Sequence, residues 1–507
     1  MLRGFSAQWP ILPCVAIVVF VLYRFLVPRN KRTLPLPPGP PPLPLLGNVL
    51  QFPTQNLGQG FRELSEKYGD VVHLRVLGRS IILIGSYEAA CDILEKRSAI
   101  YSDRPPSAMV ELTDLDWVFV FKHYGPEWRK YRRAMHSAFT AEAITRYWPV
   151  QLQTTRELLR NLLTSPANFS AHIHFSFAAT VLRMVYGLDI TPGDDRYYQL
   201  IERLGSITAD IATPGQHRVE AFPSMRYLPS WFPGMGFKKQ ADAWKEECAA
   251  VRDSMYDSAK ETMNRTGVKE SILTMLTEKY AEEDLVKNMT ATIYSSSADT
   301  TNAAAHALIL ALAMHPEVQR KAQAELDSVI GPDRLPEFSD RDALPYVRAI
   351  VKEVVRWHAV APVGGAHRST ADDEYNGYFI PAKSIIIPNQ WAMSRDPAHY
   401  PNPDSFNPDR FLINGEFNPN VRDPATFAFG FGRRICPGRH FAEATLFIMC
   451  ASILHTMNII PALDENGVPK KLEMKTDGLA VEHPKPFECR FTARNAHMKE
   501  LVLASDA

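Results

Sequence analysis

A short glycine-rich segment with a single cysteine constrains the structure of this chain more than any other feature. The segment FGFGRRICPG spans residues 429–438 and ends in Cys436, Pro437 and Gly438. Proline suits the first turn of a helix, and the residues that follow, GRHFAEATLFIMCASIL, keep a helical spacing of apolar side chains. The sequence therefore predicts that Pro437 lies in the first turn of a helix and that Cys436 lies just at its amino terminus.

The position predicted for Cys436 suits a thiolate. The dipole and the free backbone amides of a helix amino terminus stabilise negative charge, and Arg434 adds a positive charge nearby. The three glycines of the segment would let the backbone approach a flat group closely. A thiolate on such a loop, flanked by Phe429, is what an axial haem ligand requires. A buried structural cysteine beside a glycine-rich turn accounts for the same spacing equally well.

Composition excludes several classes of function. The chain has 56 basic and 56 acidic side chains, so no excess of positive charge is available for the phosphates of nucleic acids. The six cysteines have no paired spacing of the kind that forms disulfide frameworks or zinc ribbons, and we read them as reduced thiols in a cytosolic setting. His440 follows Cys436 by four residues, but no second ligand pair is near it in the sequence, so a zinc site is rejected.

The amino terminus predicts a membrane anchor at residues 1–28. Residues 11–27 are almost entirely apolar and would form a helix of about 26 Å, which suits a thin membrane such as that of the endoplasmic reticulum. Basic residues at 29–32 predict a single-pass orientation with the rest of the chain in the cytosol. A cleaved signal peptide is the alternative, although a proline-rich stretch follows instead of a small-residue cleavage site. We expect a stiff hinge at 29–48.

Residues 49–507 are predicted to form one large catalytic domain, because no low-complexity linker or internal repeat interrupts them. Apolar periodicity indicates many long helices and few strands, so the predicted fold class is mainly α with a small β portion. The clearest predicted elements are strands at 71–76 and 80–85 around a turn at 77–79, and helices at 282–314 and 341–358.

Five positions of the cysteine segment match the haem-binding signature F-x-x-G-x-R-x-C-x-G of the cytochrome P450 family: Phe429, Gly432, Arg434, Cys436 and Gly438. Three further motifs occur in that family's order. They are W-x-x-x-R at Trp128 and Arg132, E-x-x-R at Glu353 and Arg356, and FNPDRF at 406–411, which is similar to the P-x-R-F element. The chain therefore resembles fungal membrane-bound microsomal P450s over nearly its whole length, and the resemblance implies the P450 fold.

The resemblance also implies a haem b cofactor and the residues that bind it. Cys436 would ligate the iron, with Phe429 beside the sulfur and Gly438 in the same loop. The groups that look like propionate ligands are Trp128, Arg132, His367 and Arg434, although His367 by itself reads as an ordinary surface histidine. Glu353, Arg356 and Arg410 look like a structural clamp behind the haem loop. Without the resemblance, an i,i+3 pair is usually a solvated surface pair.

A second motif concerns oxygen chemistry. The sequence SSADTT, residues 296–301, lies midway along the predicted helix 282–314 and resembles the family's oxygen-activation motif, with Asp299 and Thr300 in the acid and alcohol positions. A hydroxyl backed by a carboxylate can relay protons through water. Alternatively, these hydroxyls bond back to the preceding turn. Ser296 and Ser297 replace the small residues usual there, which leaves the shape of the pocket open.

The resemblance implies a monooxygenase that inserts one atom of dioxygen into a lipophilic small molecule of terpenoid, steroid or polyketide type, as in secondary metabolism. The expected pocket segments are chiefly apolar: 107–121, the helix around Ser296, 360–365 and 476–481. Residues 227–239 resemble corresponding segments of fungal family members and are expected either to dip into the membrane or to form a buried loop. Two alternatives stay open, a thiolate-haem rearranging enzyme such as an isomerase or dehydratase, and a non-catalytic membrane haem-binding protein.

Electrons are expected from another protein, because no flavin or nicotinamide domain follows the haem helix in this sequence. The resemblance implies a membrane-bound NADPH-dependent diflavin reductase as that partner. A basic patch is predicted as its docking surface on the cysteine side of the haem. Its candidate residues are Arg129, Lys130, Arg133, Arg433 and Arg439, each of which by itself reads as a solvated charge.

Overall fold

The computed structural model describes residues 34–190, 195–213, 215–267 and 270–505. Helices form most of these residues and strands form small sheets, so the predicted fold class, mainly α with a small β portion, is confirmed. The predicted anchor at 1–28 lies outside the described residues. Within the described ranges, no helix combines the length and the hydropathy that crossing a bilayer requires.

Eighteen α-helices occur in the described part of the chain, together with short 3₁₀ turns and a π-helical segment at Cys91–Lys96. In chain order the helices are α1 (Leu57–Tyr68), α2 (Tyr87–Ala90), α3 (Ser98–Tyr101), α4 (Ala108–Leu112), α5 (Pro126–Phe139), α6 (Trp148–Thr164), α7 (Phe169–Tyr186), α8 (Asp195–Ala212), α9 (Arg218–Ala221), α10 (Gly236–Thr266), α11 (Ile272–Lys279), α12 (Glu283–Met314), α13 (Pro316–Val329), α14 (Pro345–Trp357), α15 (Gln390–Met393), α16 (Ala425–Ala428), α17 (Arg439–Thr456) and α18 (Ala496–Ala504).

The strands of the described residues form one four-stranded sheet and four two-stranded ladders. In chain order the strands are β1 (Val71–Val76), β2 (Arg79–Ile84), β3 (His367–Arg368), β4 (Asp373–Tyr375), β5 (Tyr378–Ile380), β6 (Ile385–Pro388), β7 (Leu412–Ile413), β8 (Glu416–Phe417), β9 (Met457–Pro461), β10 (Thr476–Asp477), β11 (His483–Pro484) and β12 (Cys489–Ala493). The large sheet has the order β1-β2-β6-β3, in which only the β2–β6 pairing is parallel. The ladders are β4–β5, β7–β8, β10–β11 and β9–β12, all antiparallel.

The predicted hairpin is confirmed, but its turn is tighter than expected. Val76 and Arg79 are the last pair of the antiparallel β1–β2 ladder, so only Leu77 and Gly78 form the turn. Both turn residues have positive φ, 47° and 82°, as a two-residue type I′ turn requires. Arg79, predicted in the turn, therefore belongs to β2.

The two long predicted helices are present, with one corrected boundary. α12 matches the predicted 282–314 helix within one residue, and acidic side chains in its first turn suit the positive end of the helix dipole. It ends at Met314, because Pro316 begins α13 and the residue before a proline disfavours the α conformation. The second helix is shorter than predicted, since α14 begins only at Pro345 and residues 338–343 form a 3₁₀ turn.

α12 lies in the main hydrophobic core, which fixes the position of the SSADTT motif. Leu308 and Leu312 on its carboxy-terminal half are at most 1% exposed. They share one core cluster with Ile350 of α14 and Phe447 of α17. Burial of each such side chain contributes about 1.5–3 kcal/mol. The motif is thereby held in a fixed place relative to α17, the helix that follows the cysteine segment.

Candidate active site

Cys436 lies in a tight loop between α16 and α17. Its backbone N–H donates to the Phe429 carbonyl at 2.8 Å, which closes the loop and brings the backbones of these two residues together. α17 begins at Arg439 with Gly438 as its N-cap. The prediction that Pro437 occupies the first turn of the helix is therefore wrong, because proline and cysteine both precede the cap.

Gly432 shows why this loop requires glycine. Its φ is +54°, and a Cβ at this position would stand 2.2 Å from the carbonyl oxygen of Leu94. A backbone atom cannot move aside at low cost, so only glycine fits. From the sequence, the glycines were expected to let the backbone approach a flat group. At Gly432 the structure instead shows the backbone in close contact with the backbone of the π-helical segment.

Burial is the largest influence on the Cys436 thiol and raises its pKa. The N–H groups of Gly438 and Arg439 and the charges of Arg132 and Arg439 act in the opposite direction and favour the thiolate. The helix-end stabilisation expected from the sequence is thus present but is outweighed by burial. Coordination to a metal cation would reverse this balance, since a coordinating thiol is deprotonated outright.

Three arginines and one histidine form a cationic cluster, which we define as Arg104, Arg132, His367 and Arg434. Three of the four were predicted as cofactor ligands, and the structure brings all of those three together. Their N–H groups donate at 2.5–3.0 Å to backbone carbonyls of the surrounding loops, namely those of Tyr101, Ser102, Val120, Lys122, Gly365, Ala366 and Ile435. His367 is only 4% exposed, so the alternative of a surface histidine is wrong.

The cationic cluster carries positive charge that its surroundings do not balance. Burial, and then repulsion from Arg104, lower the pKa of Arg434 to about 8. Burial also lowers the pKa of Arg104 to about 10 and that of His367 to about 3. Asp103 is the acidic residue that acts on both arginines, and Arg368 already shares it. Enclosed charges without a counter-charge are costly, so this cluster suits an anionic ligand.

Trp128 borders the cationic cluster and contributes an unused donor. The guanidinium of Arg434 lies over its ring at 4.7 Å, and Phe119 stacks on the ring at 5.6 Å. The Trp128 indole Nε1 is buried and has no hydrogen-bond partner among the described residues. A buried donor without an acceptor costs about 1–3 kcal/mol. The orphaned N–H therefore points to an acceptor on a ligand.

Asp299 and Thr300 lie next to each other in the middle of α12. Thr300 is exposed, and its hydroxyl donates at 3.3 Å to the Ser296 carbonyl, whereas the Ser297 hydroxyl donates at 2.6 Å to a carbonyl one turn earlier. Both hydroxyls thus form hydrogen bonds to the preceding turn, as the alternative interpretation expected, but the hydrogen bond from Thr300 is long. The Asp299 carboxylate is paired with the imidazole of His483, at 3.1 Å between Oδ1 and Nε2.

Phe119 connects α12, the helix of the oxygen-activation motif, to Trp128 beside the cationic cluster. Its ring stacks on Trp128, and its backbone N–H donates to Thr292 Oγ1 at 3.3 Å. Thr292 lies about two turns before Thr300 on the same helix. The helix that carries the predicted acid–alcohol pair is therefore attached to the side chain that borders the predicted anion ligands.

Glu353, Arg356 and Arg410 form the predicted clamp. Arg356 donates from Nε and Nη2 to the two Glu353 oxygens at 2.8 Å each, and Arg410 Nε lies 3.2 Å from one of them. The side chains of Glu353 and Arg356 are 0% exposed, so the alternative of a solvated surface pair is wrong. Further donors of Arg356 reach backbone carbonyls at Ser394, Pro403 and Ser405, which ties α14 to the chain that leads into the cysteine loop.

Comparisons with known proteins agree with this arrangement. A family model described as Cytochrome P450 matches residues 37–491. The chain belongs to the cytochrome P450 family. It is 42% identical over 492 residues to Cytochrome P450 monooxygenase COX1 of Coprinopsis cinerea, which covers 93% of this chain and 94% of that protein. It is 36% identical over 487 residues to Tryptamine 4-monooxygenase of Psilocybe cyanescens, which covers 94% of this chain and 96% of that protein.

These relatives confirm the predicted family and enzyme class, so this P450 is a monooxygenase. The family implies a haem-thiolate cofactor, and the described residues fit one. Cys436 offers the sulfur, and the two haem carboxylates would balance the charge of the cationic cluster. A carboxylate oxygen would also satisfy the orphaned N–H of Trp128. The ligation itself and the haem type belong to the proposal below.

The sequence analysis missed two residues of this site. Arg104 lies in an irregular loop, YSDRPPS, where neither periodicity nor a recognised motif marks it. His483 follows the predicted pocket segment 476–481 by two residues, and only the folding of β11 against α12 brings it to Asp299. Neither residue could be identified from the sequence without knowing which loops pack against each other.

Proposed function

We propose that this P450 is a single-pass enzyme of the endoplasmic reticulum membrane whose catalytic domain, residues 49–507, faces the cytosol. It inserts one atom of dioxygen into a lipophilic molecule of terpenoid, steroid or polyketide type in secondary metabolism. Its electrons come from an NADPH-dependent diflavin reductase, and its cofactor is haem b ligated by Cys436. The observation that carries the proposal is that Phe119 joins Trp128, which lies under Arg434 of the cationic cluster, to Thr292 of α12, the helix that holds Asp299 and Thr300.

Each part of the site has a separate task in this proposal. The haem, when bound, supplies the oxygen chemistry. The cationic cluster and Trp128 bind its carboxylates and set its orientation. Thr300 Oγ1 exchanges its long bond to Ser296 for one to water in the pocket. The Asp299 carboxylate takes up a proton from solvent water and, as the acid, passes it to that hydroxyl. A positioned acid of this kind typically accelerates a reaction about 10²- to 10⁴-fold.

The pocket segment 107–121 supports a neutral, lipophilic substrate. α4 buries apolar side chains, while two of the segment's acids are engaged elsewhere, since Glu111 pairs with Arg226 and Asp114 pairs with Lys245. Tryptamine, the molecule in the name of one relative, is a cationic amine that would require an unpaired carboxylate. Asp116, the third acid of the segment, is exposed, so the buried lining that α4 supplies is apolar and favours an uncharged ligand.

Two exposed apolar stretches support attachment of the catalytic domain to a membrane. Leu45 in the hinge and Leu50 just after it are 72% and 75% exposed. Between α9 and α10, Tyr227 and Trp231 are 77% and 80% exposed, within the segment predicted to dip into the membrane. Large exposed apolar patches mark contact with lipid or protein, and tryptophan and tyrosine favour the membrane–water interface.

A basic surface next to the cysteine loop supports docking of an acidic reductase. Of the predicted patch, Arg129, Arg133 and Arg433 are exposed, which leaves them available to a partner. Lys130 is instead paired with Glu282, so we expect a smaller contribution from it. The surface should steer association by charge and weaken with rising salt.

The proposal is tested with holoenzyme, reductase and NADPH against a panel of terpenoids, steroids and polyketides under isotopically labelled dioxygen. We expect a product that gains one labelled oxygen atom. Thr300→Ala should retain haem and the carbon monoxide difference spectrum, yet yield less product and more hydrogen peroxide per NADPH. A product formed without NADPH or without label would favour the rearranging enzyme, and unchanged coupling in Thr300→Ala would contradict the relay.

A further inference from the structure

His483 contacts the relay acid from a distant part of the chain. Its Nε2 lies 3.1 Å from Asp299 Oδ1, and the two side chains are 36% and 42% exposed. His483 begins β11, which pairs with β10 and packs against α12. The motif SSADTT includes Asp299, but no motif in the sequence includes His483.

The backbone that leads into His483 is firmly held. The Glu482 N–H donates to the Val360 carbonyl at 2.8 Å, and the Glu482 carbonyl accepts from His358 Nε2 at 3.0 Å. In the connection from β10, Gly478 has φ +106°, and a Cβ there would stand 2.1 Å from a neighbouring backbone carbonyl oxygen. A rigid hairpin thus presents the imidazole to α12, which is the support that a positioned functional group requires.

We propose that His483 is a positioning residue of the distal relay and that its charged form holds the Asp299 carboxylate in one orientation beside Thr300. The inference rests on the relay proposed above. The imidazolium donates its Nε2–H to Oδ1, which leaves the other carboxylate oxygen for water or for the Thr300 hydroxyl. When the imidazole loses its proton, the charge attraction ends and the carboxylate rotates more freely.

The groups around His483 determine the pH at which this contact is strong. The hydrogen bond to Asp299 raises the pKa of His483 above its ordinary value of 6.5, Glu202 of α8 acts in the same direction, and burial opposes both. The other titratable neighbours are His306 of α12 and His358 after α14, and burial lowers the pKa of each, so both are neutral at pH 7. Neither therefore competes for the carboxylate.

The sign of the pH effect follows from the raised pKa. A histidine whose pKa is higher in the folded protein contributes fully below its unfolded pKa and loses that contribution as the pH rises through the folded value. The pair of His483 and Asp299 should therefore be strongest well below pH 6.5 and weaken as the pH rises through the folded pKa of His483, which lies above 6.5. The orientation of the Asp299 carboxylate beside Thr300 should become less defined over the same pH range.

The first test measures the pair without any turnover. Imidazole C–H resonances of histidine-labelled holoenzyme are titrated in the ferrous carbon monoxide form, which is diamagnetic, and His483→Gln identifies the resonance of His483. We expect its midpoint to fall towards 6.5 in Asp299→Asn. His497, which lies 3.5 Å from Asp333, is the control position for the second test below. An unchanged His483 midpoint in Asp299→Asn would overturn the proposal.

The second test measures hydrogen peroxide released per NADPH with reductase alone, so no substrate needs to be identified. His483→Gln should raise this ratio several-fold at pH 6.5 and approach the behaviour of Asp299→Asn. In the wild type the ratio should rise with pH as His483 loses its proton, whereas His483→Arg keeps a positive charge at every pH and should retain the low ratio throughout. His497→Gln should behave like the wild type.

The outcomes separate this inference from the proposed function. If Asp299→Asn raises the peroxide ratio but His483→Gln does not, the relay stands and the role of His483 is wrong. If neither variant raises the ratio while the titration still shows the pair, the relay itself fails and the inference fails with it. If His483→Gln raises the ratio equally at all pH values and His483→Arg does the same, the charge of His483 has no role and the inference is overturned.

Discussion

An unsatisfied indole N–H is the clearest mark of the site at the scale of single residues. Trp128 and Trp148 both bury an indole Nε1 that has no partner among the described residues. Their surroundings differ, because Trp128 lies under the guanidinium of Arg434 whereas Trp148 stacks on Phe338 at 4.7 Å. If the N–H of Trp128 serves a haem carboxylate, only one of these tryptophans should affect cofactor binding.

We therefore expect Trp128→Phe to accelerate haem loss about tenfold or more, because a hydrogen bond to a charged acceptor contributes about 1.5–3 kcal/mol. The measurement is the rate of haem transfer from the holoenzyme to excess apomyoglobin. Trp148→Phe is the matched control and should leave that rate unchanged. Equal effects of the two substitutions would show that the Trp128 N–H has no part in haem binding.

At the scale of elements, the buried carboxylate of Glu353 joins α14 to the chain between α15 and the cysteine loop. Glu353→Gln would leave two guanidinium groups, those of Arg356 and Arg410, without a counter-charge in a buried place. Breaking a buried pair in this way typically costs about 3–5 kcal/mol. We expect a marked fall in the temperature at which the carbon monoxide spectrum is lost.

The control for this clamp is the exposed pair of Arg62 and Glu66 on α1, in which the glutamate is 61% exposed. An exposed i,i+4 pair contributes only about 0.3–0.5 kcal/mol. Glu66→Gln should therefore leave the same transition almost unchanged. A similar fall in the transition temperature in both variants would contradict the assignment of the Glu353 cluster as the clamp that supports the haem loop.

A second carboxylate joins two short helices over the pocket segment. Glu220 of α9 accepts from Ser107 Oγ at 2.7 Å and from the N–H groups of Ala108 and Met109 at 3.2 and 2.8 Å. A negative charge that receives several donors at a helix amino terminus is strongly favoured. α9 is thereby fastened to the start of α4.

Glu220→Ala should release α9 from α4, because these donors lose their common acceptor. We expect limited proteolysis of native protein to cut several-fold faster between residues 213 and 235, at cleavage sites located by mass spectrometry. Glu246→Ala, at an exposed position of α10, should leave the cutting rate unchanged. Unaltered cleavage in Glu220→Ala would show that other contacts hold α9.

At the scale of the whole molecule, the cytosolic orientation makes a prediction about glycosylation. The chain has N-x-S/T sequences at Asn168, Asn264 and Asn288. Asn168 and Asn264 are exposed, whereas Asn288 is buried at 8% and donates to Tyr131, so only the first two report on topology. In a eukaryotic host we expect neither to carry a glycan, and endoglycosidase should leave the mobility of the protein unchanged.

The control for topology replaces residues 1–28 with a cleavable secretory signal. This version should enter the lumen and gain a mobility shift that endoglycosidase removes, which shows that the exposed acceptor sequences are usable. A shift in the natural chain would mean that the catalytic domain is translocated and that the anchor orientation is reversed.

The sequence by itself determined the features that depend on neighbouring residues. The hairpin of β1 and β2, with its turn placed to within one residue, the boundaries of α12 and the cysteine loop follow from local propensities, proline positions and a motif of fixed spacing. The fold class follows from apolar periodicity for the same reason. Where local reasoning failed, as at Pro437 and at the start of α14, the error was a few residues at a helix end, because capping depends on backbone geometry beyond the pattern.

Only the tertiary structure decided which distant groups meet. Arg104 and His483 carry no signal of their own, since each acquires its role from a loop or hairpin that packs against another part of the chain. Burial, too, is a property of the fold: it turns Glu353 and Arg356 into a clamp, opposes the thiolate of Cys436 and makes Asn288 inaccessible. Interactions between charges depend on distance and on the surrounding medium, and neither is fixed until the chain has folded.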